Sequence, residues 1–225
     1  MFTQTPFKRE NHVFRSPQLQ DLMLDALRFF NGTPVYELPP ATSFTGSGVY
    51  ALYYTGSAPL YEKVAQLNRV AYNLPIYVGK AIPSGGRRGL SVLDDEEGSL
   101  IKRLREHFKS IVLAHQFAGV RSAGLPVLDP SHFACRFMII PGDEAALIAP
   151  IEAALIRNYL PLWNSVVDGF GNHDPGKGRY EQAKSAWDVL HPGRKWADKC
   201  LGEPFPADVI VASISSHLQK IKTTS

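Results

Sequence analysis

The sequence predicts a small sheet wrapped by helices, α+β or α/β in class. Three observations carry this. Two β-prone strings that pair glycine with tyrosine, Gly48-Val49-Tyr50 and Tyr77-Val78-Gly79, stand in the first third of the chain. A third apolar, β-rich run, HFACRFMII, spans 132–140. Stretches with helical spacing of apolar residues lie between and around these strings.

The elements follow in order. Residues 1–16 read as a polar arm. In 17–30 the apolar positions Leu19, Leu22, Leu24, Leu27 and Phe30 make a helical face, with Ser16 as N-cap, Pro17 at the first helical position and Asn31-Gly32 as the stop. Residues 38–47 read as a loop before the strand that begins at Gly48 and ends before Thr55-Gly56-Ser57. The segment 61–71 has helical spacing and separates the two tyrosine strings as an insertion. The sheet restarts at Pro75-Ile76-Tyr77-Val78, and 81–98 is a long polar loop. Ser99 is expected to cap a helix lined by Leu100, Leu104, Phe108 and Ile111, with His115 at its far end. The run at 132–140 is expected to be a central strand. In DEAALIAPIEAALIRNYL, Pro150 either kinks one helix or opens a second, and Pro161 ends it. From 165 the composition turns to glycine and charge, with a short helix expected within 180–190 and a last one over 207–221.

The bulk composition narrows the function classes. The 225 residues are 44% apolar and 11% aromatic, enough for a real core in one domain with insertions. The net charge of +3 and pI near 8.8 permit a nucleic-acid partner without demanding one. Two cysteines, Cys135 and Cys200, cannot build a disulfide framework or a four-ligand zinc site alone, and they fit a reduced, cytoplasmic setting. The opening MFTQTPFKRENHVF has no apolar signal core, and no apolar run approaches a membrane span. The string Gly171–Gly178 nearly matches a phosphate-binding loop, but its last position is glycine, so the metal-binding hydroxyl is missing. His132, Cys135, His173 and Cys200 lack the close pairing of zinc ligands.

The residues with chemistry come in a fixed order. Arg103 and His107 stand four apart on the third helix, at the border of its apolar stripe. Glu152 is the one carboxylate in PIEAALIRNYL, and Asn164 follows Pro161-Leu162-Trp163 just past that helix. Phosphodiester hydrolysis needs a deprotonated water, a neutralised phosphate and an assisted leaving oxygen. A phenol with pKa about 10 is a poor base near neutrality unless an imidazole takes its proton, which pairs Tyr50 with His107. An arginine forks onto phosphate oxygens, and Arg105 rivals Arg103 for that place. A lone carboxylate with water and phosphate is a common way to hold Mg²⁺, which suits Glu152. Arg87 and Arg88 behind two glycines, Lys102 on the helix, and Asn172, His173, Lys177 and Arg179 in the late loop are candidates to touch DNA.

The order Tyr50, Tyr77, Arg103, His107, Glu152, Asn164 resembles the GIY-YIG nuclease superfamily, and more closely its small type II restriction endonucleases. Valine replaces isoleucine in both motifs, and the tyrosines stand further apart than in compact members. The resemblance implies an α+β core with a small, mostly antiparallel sheet flanked by helices. It implies one domain over 1–225, with its core at about 46–165, an N-terminal arm and helix over 1–45, and a DNA-contacting extension over 166–225. It implies Tyr50 beside the attacking water, Tyr77 supporting it, Arg103 on the phosphate, His107 one helical turn on, Glu152 on Mg²⁺ (one ion per active site) and Asn164 bracing the site. The expected substrate is double-stranded DNA at a GC-rich palindrome of the CCGCGG type. A homodimer, a cognate DNA methyltransferase in the same system and a bacterial cytoplasmic setting go with it. A structure-specific, repair or mobile-element nuclease and a non-catalytic DNA binder are the other readings.

Overall fold

Eight consecutive residues buried on both faces, Ser47–Tyr54, form the strand at the middle of the fold. The computed structural model describes residues 7–82, 99–120, 126–176 and 178–221. In chain order the helices are α1 (Pro17–Gly32), α2 (Glu62–Val70), α3 (Ser99–Val120), α4 (Ile148–Tyr159), α5 (Leu162–Ser165), α6 (Ala186–Leu190) and α7 (Ala207–Lys220). The strands are β1 (Val35–Glu37), β2 (Ser47–Tyr54), β3 (Tyr77–Ala81) and β4 (Phe133–Ile140). They make one sheet in the order β1-β4-β2-β3, and every pair is antiparallel. The fold is therefore α+β. β4 is central, as its apolar run predicts.

The strand period of two divides β2 between two cores. Tyr50, Leu52 and Tyr54 enter one core with Leu100, Leu104 and Ile111 of α3 and the aromatic residues of the C-terminal third. Val49, Ala51 and Tyr53 enter the other with Phe30 of α1 and Ile148, Ile151 and Leu155 of α4. The two motif strings pair directly despite the insertion between them, with Tyr50 opposite Gly79. Helix α2 occupies the insertion, and its buried Asn68 donates to the carbonyls of Tyr54 and Leu74, which pins the detour back to the sheet.

Both motif glycines are required by close approach. A Cβ on Gly48, whose φ is +155°, would lie 2.0 Å from the Met138 carbonyl oxygen. A Cβ on Gly79 would lie 2.5 Å from the hydroxyl of Tyr50. The second clash is at the site itself, so this glycine makes room for the tyrosine on the neighbouring strand.

Several expectations change. β1 is too short to have been read from sequence. Ser16 does cap α1, accepting from the Leu19 amide, whereas Ser99 is the first residue of α3 and its hydroxyl sits 2.7 Å from that of Ser47. A 3₁₀ stretch, Gly142–Leu147, precedes α4, which places Pro150 in the first turn of a separate helix. Leu160 adopts a left-handed backbone (φ 46°) and ends α4, and Asn164, just past that helix as expected, falls inside the short α5. The helix expected within 180–190 is cut to α6, capped by the Ser185 hydroxyl. Both cysteines are free, and among the described residues no cluster of three or more metal-ligating side chains occurs. No helix among the described residues is long and apolar enough to cross a membrane.

Candidate active site

Strand β2 delivers Tyr50, and α3 delivers His107 one strand-to-helix layer away. The Tyr50 hydroxyl lies 2.6 Å from His107 Nε2. Neither side chain is exposed, at 0% and 2%. His107 was expected at the border of the α3 stripe, but it lies inside the core, because Phe170 from the C-terminal third stacks on it with ring centroids 4.5 Å apart. Burial raises the Tyr50 pKa well above its ordinary value, Tyr77 adds to the rise, and the charge of Arg103 opposes it. Burial lowers the His107 pKa well below the usual imidazole value, and the positive charge of Arg103 adds to this. Both groups are therefore neutral near pH 7. The phenol then donates and Nε2 accepts, with the imidazole carrying its proton on Nδ1.

Tyr77 comes from the edge strand β3. Its ring meets His107 edge-on at 5.2 Å and Phe170 edge-on at 4.9 Å, and it is only half-buried. Burial raises its pKa, and Arg103 works against the rise. The backbone of β3 is held from outside the sheet by Asn164. The side-chain oxygen of Asn164 accepts from the Val78 amide at 2.8 Å, and its NH₂ donates to the Val78 carbonyl at 2.8 Å. One carboxamide thus stands in for a missing neighbour strand, and the Trp163 amide adds a third bond, to the Ile76 carbonyl.

Arg103 projects from α3 beside His107. Its Nη2 donates to the Gly171 carbonyl at 2.8 Å, and its Nη1 reaches Glu106 at 2.9 Å and the ring nitrogens of His173. Arg105 points elsewhere and donates to the Ser43 hydroxyl. Geometry therefore puts Arg103, not its rival, next to the tyrosines.

Glu152 reaches the site from the other side of the edge strand. Alternation along β3 sends Tyr77 and Gly79 toward α3 and sends Val78 and Lys80 toward α4, which carries Glu152. Lys80 Nζ forms an ion pair with Glu152. The Glu152 carboxylate contributes to raising the pKa of both Tyr50 and Tyr77, so it shares their electrostatic environment.

Of the candidate DNA contacts, Lys102, Asn172, His173 and Arg179 are exposed. His173 is also engaged with Arg103, so it belongs to the centre of the site as much as to its rim. Arg87, Arg88 and Lys177 lie outside the described residues. The described residues of 171–178 hold no helix or strand, and the next helix, α6, starts only at Ala186, which disposes of the phosphate-loop likeness.

A family model, the Eco29kI GIY-YIG domain, matches residues 42–218. That is most of the chain, and it takes in every side chain placed above. The chain belongs to the Eco29kI GIY-YIG family. This is a family of type II restriction endonucleases, which makes the protein a restriction-type nuclease with DNA as its partner. No curated protein matches the chain.

The Eco29kI GIY-YIG match runs on past Asn164 to 218, and the site shows what that segment does. Phe170 and Gly171 were missed from sequence because their contacts with His107 and Arg103 are long-range and leave no local pattern. Lys80 had a signal: it directly follows the second motif, and strand alternation predicts its face. Glu106 had one too, three residues after Arg103 on the same helix.

Proposed function

We propose that this chain is a type II restriction endonuclease that hydrolyses double-stranded DNA at a short, GC-rich palindrome, with one Mg²⁺ per active site. The bond between Tyr50 and His107, with Arg103 beside it, carries the reading. It is a proton path whose inner end, His107, is buried in the core, next to a cation suited to phosphate. Tyr50 takes a proton from the attacking water as it passes its own to Nε2 of His107. His107 is neutral near pH 7, so it is able to accept. Arg103 leaves its protein contacts in part to neutralise charge that develops on the phosphate. Tyr77, less deeply buried than Tyr50, orients the phosphate or the water. Asn164 braces β3 under Tyr77.

Glu152 is the residue that would hold the metal. A single carboxylate with water and phosphate suits Mg²⁺, and the Lys80 ammonium paired with Glu152 would give way to the ion. Bound there, Mg²⁺ supplies neutralisation of the phosphate and assistance to the leaving oxygen.

The domain reading follows: one domain over 1–225, with its core at about 46–165, an arm over 1–45 and a DNA-contacting extension over 166–225. Asn172, His173, Lys177 and Arg179 in that extension, with Arg87, Arg88 and Lys102, would meet the duplex. Two strands of a palindrome need two sites related by a two-fold axis, hence a homodimer. A DNA methyltransferase protecting the same sequence and a bacterial cytoplasmic setting complete the reading.

Incubation of purified protein with a sequenced plasmid, with and without Mg²⁺, tests it. Discrete Mg²⁺-dependent fragments whose ends share one palindrome are expected, from a protein that sediments as a dimer. Cutting confined to branched DNA would assign a structure-specific nuclease instead, and binding without cutting a non-catalytic protein.

A further inference from the structure

Arg194, in the C-terminal third, uses all five of its N–H groups inside the protein. Nε and Nη2 donate to the two oxygens of Asp188, each at 2.7 Å. Nη1 donates to the carbonyls of Phe170 (3.0 Å) and Asn172 (3.1 Å), and Nη2 also donates to that of Gly169 (2.9 Å). Its guanidinium lies 4.6 Å from the ring centre of Trp187 and 4.8 Å from that of Trp196. The pair is deeply buried, Arg194 at 4% and Asp188 at 1%. Asp188 is itself held by the Ser185 hydroxyl.

The carbonyls that converge on Arg194 belong to a stretch with a second set of contacts. Phe170 stacks on His107, and the one carbonyl Arg194 leaves out, that of Gly171, accepts from Arg103. A Cβ on Gly171 would lie 2.5 Å from the Tyr77 hydroxyl, so the backbone there is packed onto the third member of the site. Two arginines thus divide four consecutive carbonyls between them. A buried ion pair is a poor device for stability alone, since apolar residues of like volume often do as well. A planar fork with fixed donor directions is suited to fixing the path of an irregular backbone.

We propose that Arg194 is a positioning residue for the nuclease site. It fixes residues 169–172 so that Phe170 seats the His107 ring and the Gly171 carbonyl aims Arg103. The proposal rests on the hydrolytic roles given to His107 and Arg103 above. Asp188 orients the guanidinium, and Trp187 and Trp196 hold its plane.

Arg194→Lys keeps the charge and removes the fork. It should fold and bind DNA within about three-fold of the parent while cutting at least about ten-fold more slowly in single turnover. The imidazole resonances of His107 in protein carrying isotope-labelled histidine, assigned with His107→Gln, should shift. In an Arg103→Ala background, where only the His107 arm remains, the same substitution should cost at least about two-fold less than in the parent. A folded Arg194→Lys protein with the parental rate and parental His107 resonances overturns the proposal, as does an equal rate loss in both backgrounds. Should Arg194→Lys not fold, Asp188→Asn carries the same readouts with a loss of about three-fold, and parental values overturn the proposal equally. A parent that cuts no DNA sinks the functional reading, and the His107 resonances then decide alone whether Arg194 sets the site.

Discussion

The Tyr50 hydroxyl sits 2.6 Å from His107 Nε2 inside the core, where both residues are buried. Burial pushes the two pKa values in opposite directions, up for the phenol and down for the imidazole. The pair is thus a neutral donor and a neutral acceptor, and the proposed proton path uses it as a unit. Tyr50→Phe and His107→Gln should each slow cleavage by roughly 10²–10⁴. The double variant should be within about three-fold of the slower single one. Single-turnover rates on one duplex measure this, and losses that multiply would separate the two residues.

Burial of neutral imidazoles also sets the acid stability. His191, bonded through Nε2 to the Tyr61 hydroxyl at 2.6 Å, is held at about 3 by burial, and His107 is lowered in the same way. An unfolded imidazole takes its proton near pH 6.5. Below that value the unfolded chain binds protons that the folded chain refuses. The stabilisation is therefore complete above about 6.5 and is lost as pH falls toward the folded values, at up to about 1.4 kcal/mol per pH unit for each ring. Urea melts at pH 7, 6 and 5 should show this slope, and His191→Gln should reduce it by about one proton. Equal stability at pH 7 and pH 5 would mean that neither ring is buried neutral.

Asn164 completes the sheet edge through two bonds to Val78. Asn164→Ala leaves a half-buried amide and carbonyl unpaired and should cost about 1–3 kcal/mol. Asn164→Asp keeps the acceptor but loses the donor to the Val78 carbonyl, and should be destabilised as well. Denaturant midpoints for the three proteins decide it, and an unchanged midpoint for both variants would remove Asn164 from the bracing role.

Much of this was readable from the sequence, and the limits have physical causes. The strand strings, the i, i+4 pair on α3 and the lone carboxylate of α4 are local patterns, and each falls where its spacing predicts. The position of His107 was misjudged because helical periodicity knows only its own helix. Phe170, about sixty residues downstream, is what closes over the ring. The role of Arg194 could not be read from sequence, since nothing local announces that Asp188, two tryptophans and three carbonyls converge on it. The rivalry of Arg103 and Arg105 was likewise beyond one-dimensional reading, because which side of a two-residue half-turn faces the site is decided by Gly171 and Ser43.

Glu152→Gln should preserve DNA binding and lower the cleavage rate by about 10² or more, with a weakened response to Mg²⁺ concentration. Titration of Mg²⁺ against rate for parent and variant measures it. An identical curve would take Glu152 out of metal binding and leave its ion pair with Lys80 as a structural contact.

Cleavage of supercoiled plasmid in Mg²⁺ by the parent, Arg103→Ala and Arg105→Ala proteins, purified side by side, is the decisive comparison. The parent and Arg105→Ala should produce the same discrete fragments at rates within about three-fold, while Arg103→Ala should cut at least about 10² more slowly, with the DNA still bound. Equal cutting by all three proteins, or none by the parent, would contradict a nuclease site built on Tyr50, His107 and Arg103.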